Sequence, residues 1–167
     1  MRLSPDRENK WPYLLSEGYD VKSIETWDYN CIAFAADVDD EWWWPDAQGD
    51  GIWPISWREV SKDCFIAAFQ SLGYFGHESC DGSLESGYEK IAVYLLNGIP
   101  THAAKQLSDG RWKSKLGPWE DIEHNTTKAV EEYIYGKAVV FMKRQIRRLR
   151  PTLTFGVPIA LPAPRSP

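Results

Sequence analysis

Two short turn signals, Asn97-Gly98 and Asp109-Gly110, punctuate three runs of strand-forming residues, and this spacing restricts the fold more than any other feature of the chain. An Asn-Gly pair accepts positive φ at both central positions of a tight turn, so its twist matches the strands it joins. Lys90 to Leu96 (KIAVYLL), Thr101 to Leu107 (THAAKQL) and Arg111 to Leu116 (RWKSKL) therefore read as an antiparallel meander. The second turn leaves its register open. A two-residue loop sets Ala104 against Lys115 and puts His102 on the Lys115 side. A three-residue loop with Gly110 left-handed sets Ala104 against Ser114 and puts His102 on the Ser114 side.

Helical signals precede the meander. Asp28-Tyr29-Asn30-Cys31-Ile32-Ala33-Phe34-Ala35-Ala36 suits a short buried helix capped by Asn30 or Asp28 and ending near Asp39. From Ser56, the residues Val60, Cys64, Ala67, Ala68 and Leu72 recur at helical spacing, with Gly73 as the stop. After the meander, 118–124 reads as a helical turn, 126–135 as a helix and 138–143 as a last strand. Helices first and a small antiparallel sheet afterwards indicate α+β. Residues 1–26 read as an N-terminal extension, 27–144 as a single domain and 145–167 as a basic, proline-rich tail.

The bulk numbers bound the function. A length of 167 residues with 43% hydrophobic content supports one core, and nine tryptophans can stabilise it without disulfides. A net charge of -5 argues against nucleic acid as a partner. There is no signal-like apolar run and no stretch of roughly 18 apolar residues, so neither export nor a membrane span is expected, and the cytoplasm is the expected location. Cys31, Cys64 and Cys80 show no C-x-x-C spacing, so neither a metal nor a cofactor is implied.

Cys31 is the leading chemical candidate. In the first turn of a helix it meets the positive end of the macrodipole, which favours the attacking thiolate. The Asn30 side chain and the Cys31 amide can serve an oxyanion. The alternative is a small buried residue in an alanine-rich helix. His102, at the start of a strand with small neighbours, is the matching base and acid; His77 and His124 offer weaker settings. Ser114, Lys115, Asp121 and Glu123 compete to orient its ring, the carboxylates being chemically better. Trp42, Trp43 and Trp44, with Trp53, can line a ligand wall, and three adjacent tryptophans cannot all point inward. The acidic residues Asp37, Asp39, Asp40, Glu41, Asp46 and Asp50 lack calcium-loop spacing and read as a solvated face. Lys143, Arg144, Arg147, Arg148 and Arg150 read as a solubilising exit segment.

A cysteine at a helix start, a strand-initial histidine and a polar residue on the next strand resemble the core of NlpC-type papain-like cysteine peptidases and amidases. That likeness places the third residue at Ser114. It departs from the family at Ile32-Ala33, where Ser-Gly is usual, and at Ser114, where a histidine is usual. The chain more closely resembles an uncharacterised bacterial domain family. The motifs are Asn-Cys-Ile-Ala (30–33), Trp-Trp-Trp-Pro (42–45), His-Ala-Ala (102–104), Asp-Gly-Arg-Trp (109–112), Ser-Lys-Leu-Gly (114–117) and Asp-Ile-Glu-His (121–124), within residues 27–144. The resemblance implies a papain-like core and, as function, a cysteine hydrolase acting on a peptide-like amide or ester. The other expectation is an inactive papain-like module that binds a peptide or protein through a tryptophan-rich cleft.

Overall fold

The computed structural model describes residues 2–146. Its elements, in chain order, are α1 (Pro5–Glu8), α2 (Leu14–Glu17), β1 (Tyr19–Val21), α3 (Cys31–Ala35), α4 (Lys62–Ser71), β2 (Tyr88–Leu96), β3 (Ile99–Gln106), β4 (Trp112–Lys115), β5 (Asp121–His124), a 3-10 helix (Thr127–Val130) and β6 (Lys137–Gln145). The strands form one antiparallel six-stranded sheet in the order β1-β5-β4-β3-β2-β6. The fold is α+β, with shorter helices and more strands than the expected helices and meander.

The meander is built as its turns dictate. Leu96 faces Ile99 across Asn97-Gly98, both with positive φ (52° and 81°). The second hairpin takes the three-residue loop. Leu107 N donates to Arg111 O at 2.7 Å, Gly110 has φ +91°, and Lys105 and Gln106 pair with Lys113 and Trp112. That register puts Ser114 on the same face as Ala104 and His102.

Three expected helical stretches differ. Residues 118–124 contribute β5 instead, because Asp121–His124 pairs with β4 on one side and with β1 on the other. The 126–135 segment keeps only the short 3-10 helix. The helix expected from Ser56 begins at Lys62, where the Ser61 hydroxyl accepts from Cys64 N at 3.4 Å. Residues 1–26 are not an appendage: β1 is an edge strand, and Trp11 and Leu14 are fully buried. Of the expected 145–167 tail, 147–167 lies outside the described residues.

The sheet is covered on both faces. Ile91, Ala92, Val93 and Tyr94 of β2 are all buried, as a central strand between two layers must be. One core holds α3, α4, Trp43, Trp53, Ala103 and Val93. The other holds Trp11, Leu14, Tyr94, Ala104, Trp112, Ile122, Val130 and Tyr135. The β6 edge is blunted by a bulge opposite Val93/Tyr94 and by Phe75, whose backbone exchanges bonds of 2.8 and 2.9 Å with Lys143. At the end of α3, Asp37 adopts φ +64° and accepts from Lys113 at 3.1 Å, from Arg144 at 3.2 Å and from Lys105. Lys105 and Arg144 also meet Glu89, which closes a ring of ion pairs between α3 and the sheet.

Candidate functional site

Cys31 stands in the first turn of α3 as expected, with Asn30 as the N-cap. The helix lies on β3 and β4, and the Ala103, Cys31 and Ile32 amides face the sulfur. These amides and Lys115 favour the thiolate, but burial outweighs them. The thiol is only 7% exposed and is pushed up to about 11. A five-residue helix has little macrodipole to offset such desolvation.

The Asn30 oxygen accepts from Ala33 N at 3.1 Å and Trp43 N at 3.3 Å, and one of its two Nδ2 hydrogens goes to Trp43 O at 2.8 Å. The side chain caps α3 and ties it to the tryptophan segment, with one N–H left over.

His102 is fully buried. Ala103 faces the α3 core, and strand alternation turns His102 into the other core, where it stacks on Tyr135 at 4.0 Å and meets Tyr94 edge-on at 5.1 Å. The Cys31 sulfur meets the amide of Ala103, the residue next to His102, and its charge also acts on the Tyr135 hydroxyl. Among the described residues no hydrogen bond joins Cys31 to His102, and His102 Nδ1 has no partner.

What His102 does meet is Ser114 and a second histidine. The chain runs His102 Nε2 to Ser114 Oγ at 3.0 Å, Ser114 Oγ to His124 Nε2 at 2.9 Å, and His124 Nδ1 to Thr126 O at 2.7 Å. Burial holds both imidazoles below the ordinary histidine range, His124 at about 4, and each is neutral near pH 7. The proton positions follow. A carbonyl only accepts, so His124 Nδ1 donates to Thr126. His124 Nε2 then accepts from the Ser114 hydroxyl, whose oxygen accepts from His102 Nε2–H. The reading of Ser114 as the neighbour of His102 agrees with this geometry. His124, a weaker candidate in the sequence because 118–124 reads there as a helical turn, lies opposite Trp112 on that face.

Asp121 and Lys115 are cross-strand partners on the Cys31 face, away from His102. Tyr29 Oη donates to Asp121 at 2.6 Å, and the Lys115 ammonium lies 5.2 Å over the Tyr29 ring and donates to Trp119 O. Burial, its largest influence, pushes the Asp121 carboxyl up, and the Tyr29 hydroxyl pulls the other way. Asp121 thus anchors Tyr29 instead of orienting an imidazole. Glu123 pairs with Lys22 and Arg111.

The three adjacent tryptophans divide by role. Trp43 is buried and donates to Glu41 at 2.9 Å, and Trp44 packs edge-on against Phe65 at 5.7 Å. Trp53 is buried against Phe65. Trp42 is exposed and stacks on Trp27, ring centroids 6.1 Å apart and planes 15° apart. Its indole N–H donates to Trp27 O, which fixes the pair. Trp27 had no adjacent-tryptophan pattern to mark it. Among the described residues no group of three or more His, Cys, Asp or Glu is arranged to hold a metal, and no helix is long and apolar enough to cross a membrane.

A family model described as "Domain of unknown function (DUF7689)" matches residues 20–143, in agreement with the likeness to an uncharacterised domain family. No curated protein and no solved structure matches the chain.

Proposed function

The chain belongs to the DUF7689 family of domains of unknown function, and from that membership we propose that it is a binding module for a peptide or protein partner, with the Trp27–Trp42 pair as its contact platform. The observation that carries this reading is the exposed stack itself. Trp27 and Trp42 are 72% and 41% exposed, while most of the chain's other tryptophans are buried or half-buried. Two indoles held in contact with water, one locked by its N–H, give large, pre-ordered contact area of the type enriched at interfaces.

A papain-like layout is retained in this proposal as ancestry. It is supported by a cysteine-bearing helix laid on an antiparallel sheet. Hydrolase chemistry finds less support, because the thiol is buried and is pushed up to about 11. The three free cysteines suit a reducing compartment.

The test is a peptide-array screen of the wild type and of Trp27→Ala/Trp42→Ala, with native iodoacetamide labelling located by mass spectrometry. Binding that disappears in the double variant, with slow labelling of Cys31, is expected. Rapid labelling of Cys31 with an apparent pKa below ~8.5, shifted by His102→Ala, would overturn this proposal in favour of a thiol hydrolase.

A further inference from the structure

We propose that the Trp27–Trp42 platform recognises a cationic side chain, a lysine or arginine of the partner peptide. This inference rests on the binding reading above and adds the charge of the ligand. Elsewhere the fold covers aromatic faces with its own cations. Arg7 and Lys10 lie 5.3 and 5.4 Å over Trp119, Lys113 lies 4.5 Å over Phe34, Lys128 lies 4.5 Å over Tyr13 and Arg144 lies 4.5 Å over Tyr74. Among the described residues no lysine or arginine lies over Trp27 or Trp42, although indole offers the strongest cation-binding face of the aromatic side chains.

Carboxylates flank the pair in the chain. Asp28 follows Trp27 directly, and Asp39 and Asp40 lie just before Trp42 in the chain. All three are exposed, and among the described residues none has an ion-pair partner. Neighbouring acids are committed: Glu25 pairs with Arg7, Asp37 with Lys105, Lys113 and Arg144, and Asp46 with Arg58. Asp28 and Asp39 both act on the Tyr29 hydroxyl, so their fields converge beside the start of α3. A quadrupolar face with unpaired carboxylates next to it attracts a cation twice over. The indole takes the partly dehydrated head and stem of a long side chain, and the carboxylates take its charge. A neutral sugar ring would use the indoles and ignore the carboxylates.

The experiment is fluorescence anisotropy with labelled (Gly-Lys)n, (Gly-Gln)n and (Gly-Glu)n peptides of one length, at low and at raised salt. The proteins are the wild type, Trp27→Ala/Trp42→Ala and Asp28→Asn/Asp39→Asn/Asp40→Asn, all at exposed positions and each checked for an unchanged melting temperature. The lysine peptide is expected to bind the wild type and roughly ten-fold less tightly to either variant, with affinity falling as salt rises. Equal binding of the lysine peptide to wild type and tryptophan variant would overturn the proposal, because bulk acidity alone would then explain it. Equal binding of glutamine and lysine peptides, indifferent to the Asn substitutions, would overturn the cation preference while leaving the tryptophan platform standing. Binding of none of the peptides to the wild type would overturn both.

Discussion

Cys31 carries the chemical question, and its environment answers with opposing influences of unequal size. The amides at the start of α3 and the Lys115 charge lower its pKa, yet burial raises it further, to about 11. Iodoacetamide should therefore label native Cys31 slowly at pH 7–8, and His102→Ala should leave the rate unchanged, because the neutral ring bonds Ser114 and does not lower the thiol pKa; mass-spectrometric rate measurements check both. Two glycines give graded backbone tests. At Gly110, φ is +91° but a Cβ would touch only Leu84, at 3.8 Å, so Gly110→Ala should cost about 1 kcal/mol of left-handed strain. At Gly136, φ is +73° and a Cβ would lie 1.9 Å from Leu95 O, so Gly136→Ala should cost about 4 kcal/mol or prevent folding. Urea midpoints rank the two, and equal midpoints would contradict the close approach of Gly136 to β2.

Between elements, two polar networks hold the layers together. The His102–Ser114–His124 chain joins β3, β4 and β5 and fixes Thr126. Tyr94 Oη adds a bond to Thr127 O at 2.9 Å, and Thr101 donates to Tyr135 O at 2.6 Å. Both imidazoles have depressed pKa values in the fold, so an unfolded chain takes up protons below about 6.5 that the native one refuses. Stability is then full above that pH and is lost as pH falls toward 4. The His124 share is on the order of 3 kcal/mol, from about 6.5 down to about 4. Urea unfolding at pH 7, 5.5 and 4.5 should show a falling midpoint, with a shallower fall in His102→Gln/His124→Gln. The Asp37 ring acts at the far end of α3. Asp37→Ala removes a shared acceptor from Lys105, which keeps Glu89, and leaves alanine at φ +64°, for an expected loss of about 1–2 kcal/mol. Asp37→Asn tolerates that backbone and should lose less. Thermal melts that place Asn below Ala would refute the left-handed conformation.

Taken entire, the domain is a sheet clothed on both sides, and one garment is the N-terminal segment. Leu3, Trp11 and Leu14 belong to the core that also holds Tyr135, Trp112 and Ile122. Each large apolar side chain so buried contributes on the order of 2 kcal/mol. Removing residues 2–17 should abolish cooperative unfolding, and circular dichroism through a urea series checks it. A shortened chain that unfolds at the wild-type midpoint would show those residues to be dispensable.

Much of the local structure was legible beforehand. Asn97-Gly98 and Gly110 specify their turns because few residues tolerate positive φ, and Asn30 caps α3 through its own side chain. One of the three adjacent tryptophans stands exposed, as their crowding required, although which one was open. The amino-acid order by itself determined these features, because each depends on neighbours a few residues away. The strand character of Asp121–His124 was hidden, because one flanking strand, β1 with Tyr19, is distant in the chain and no Asn-Gly or Asp-Gly pair marks the turn from β4. The face that each residue meets was also undecided. Alternation along β3 guarantees that His102 and Ala103 point apart, but only the packing of α3 against Ala103 determines which of the two shares a core with Cys31. The tertiary structure chose alanine, and turned the His102 ring onto Ser114 and Tyr135.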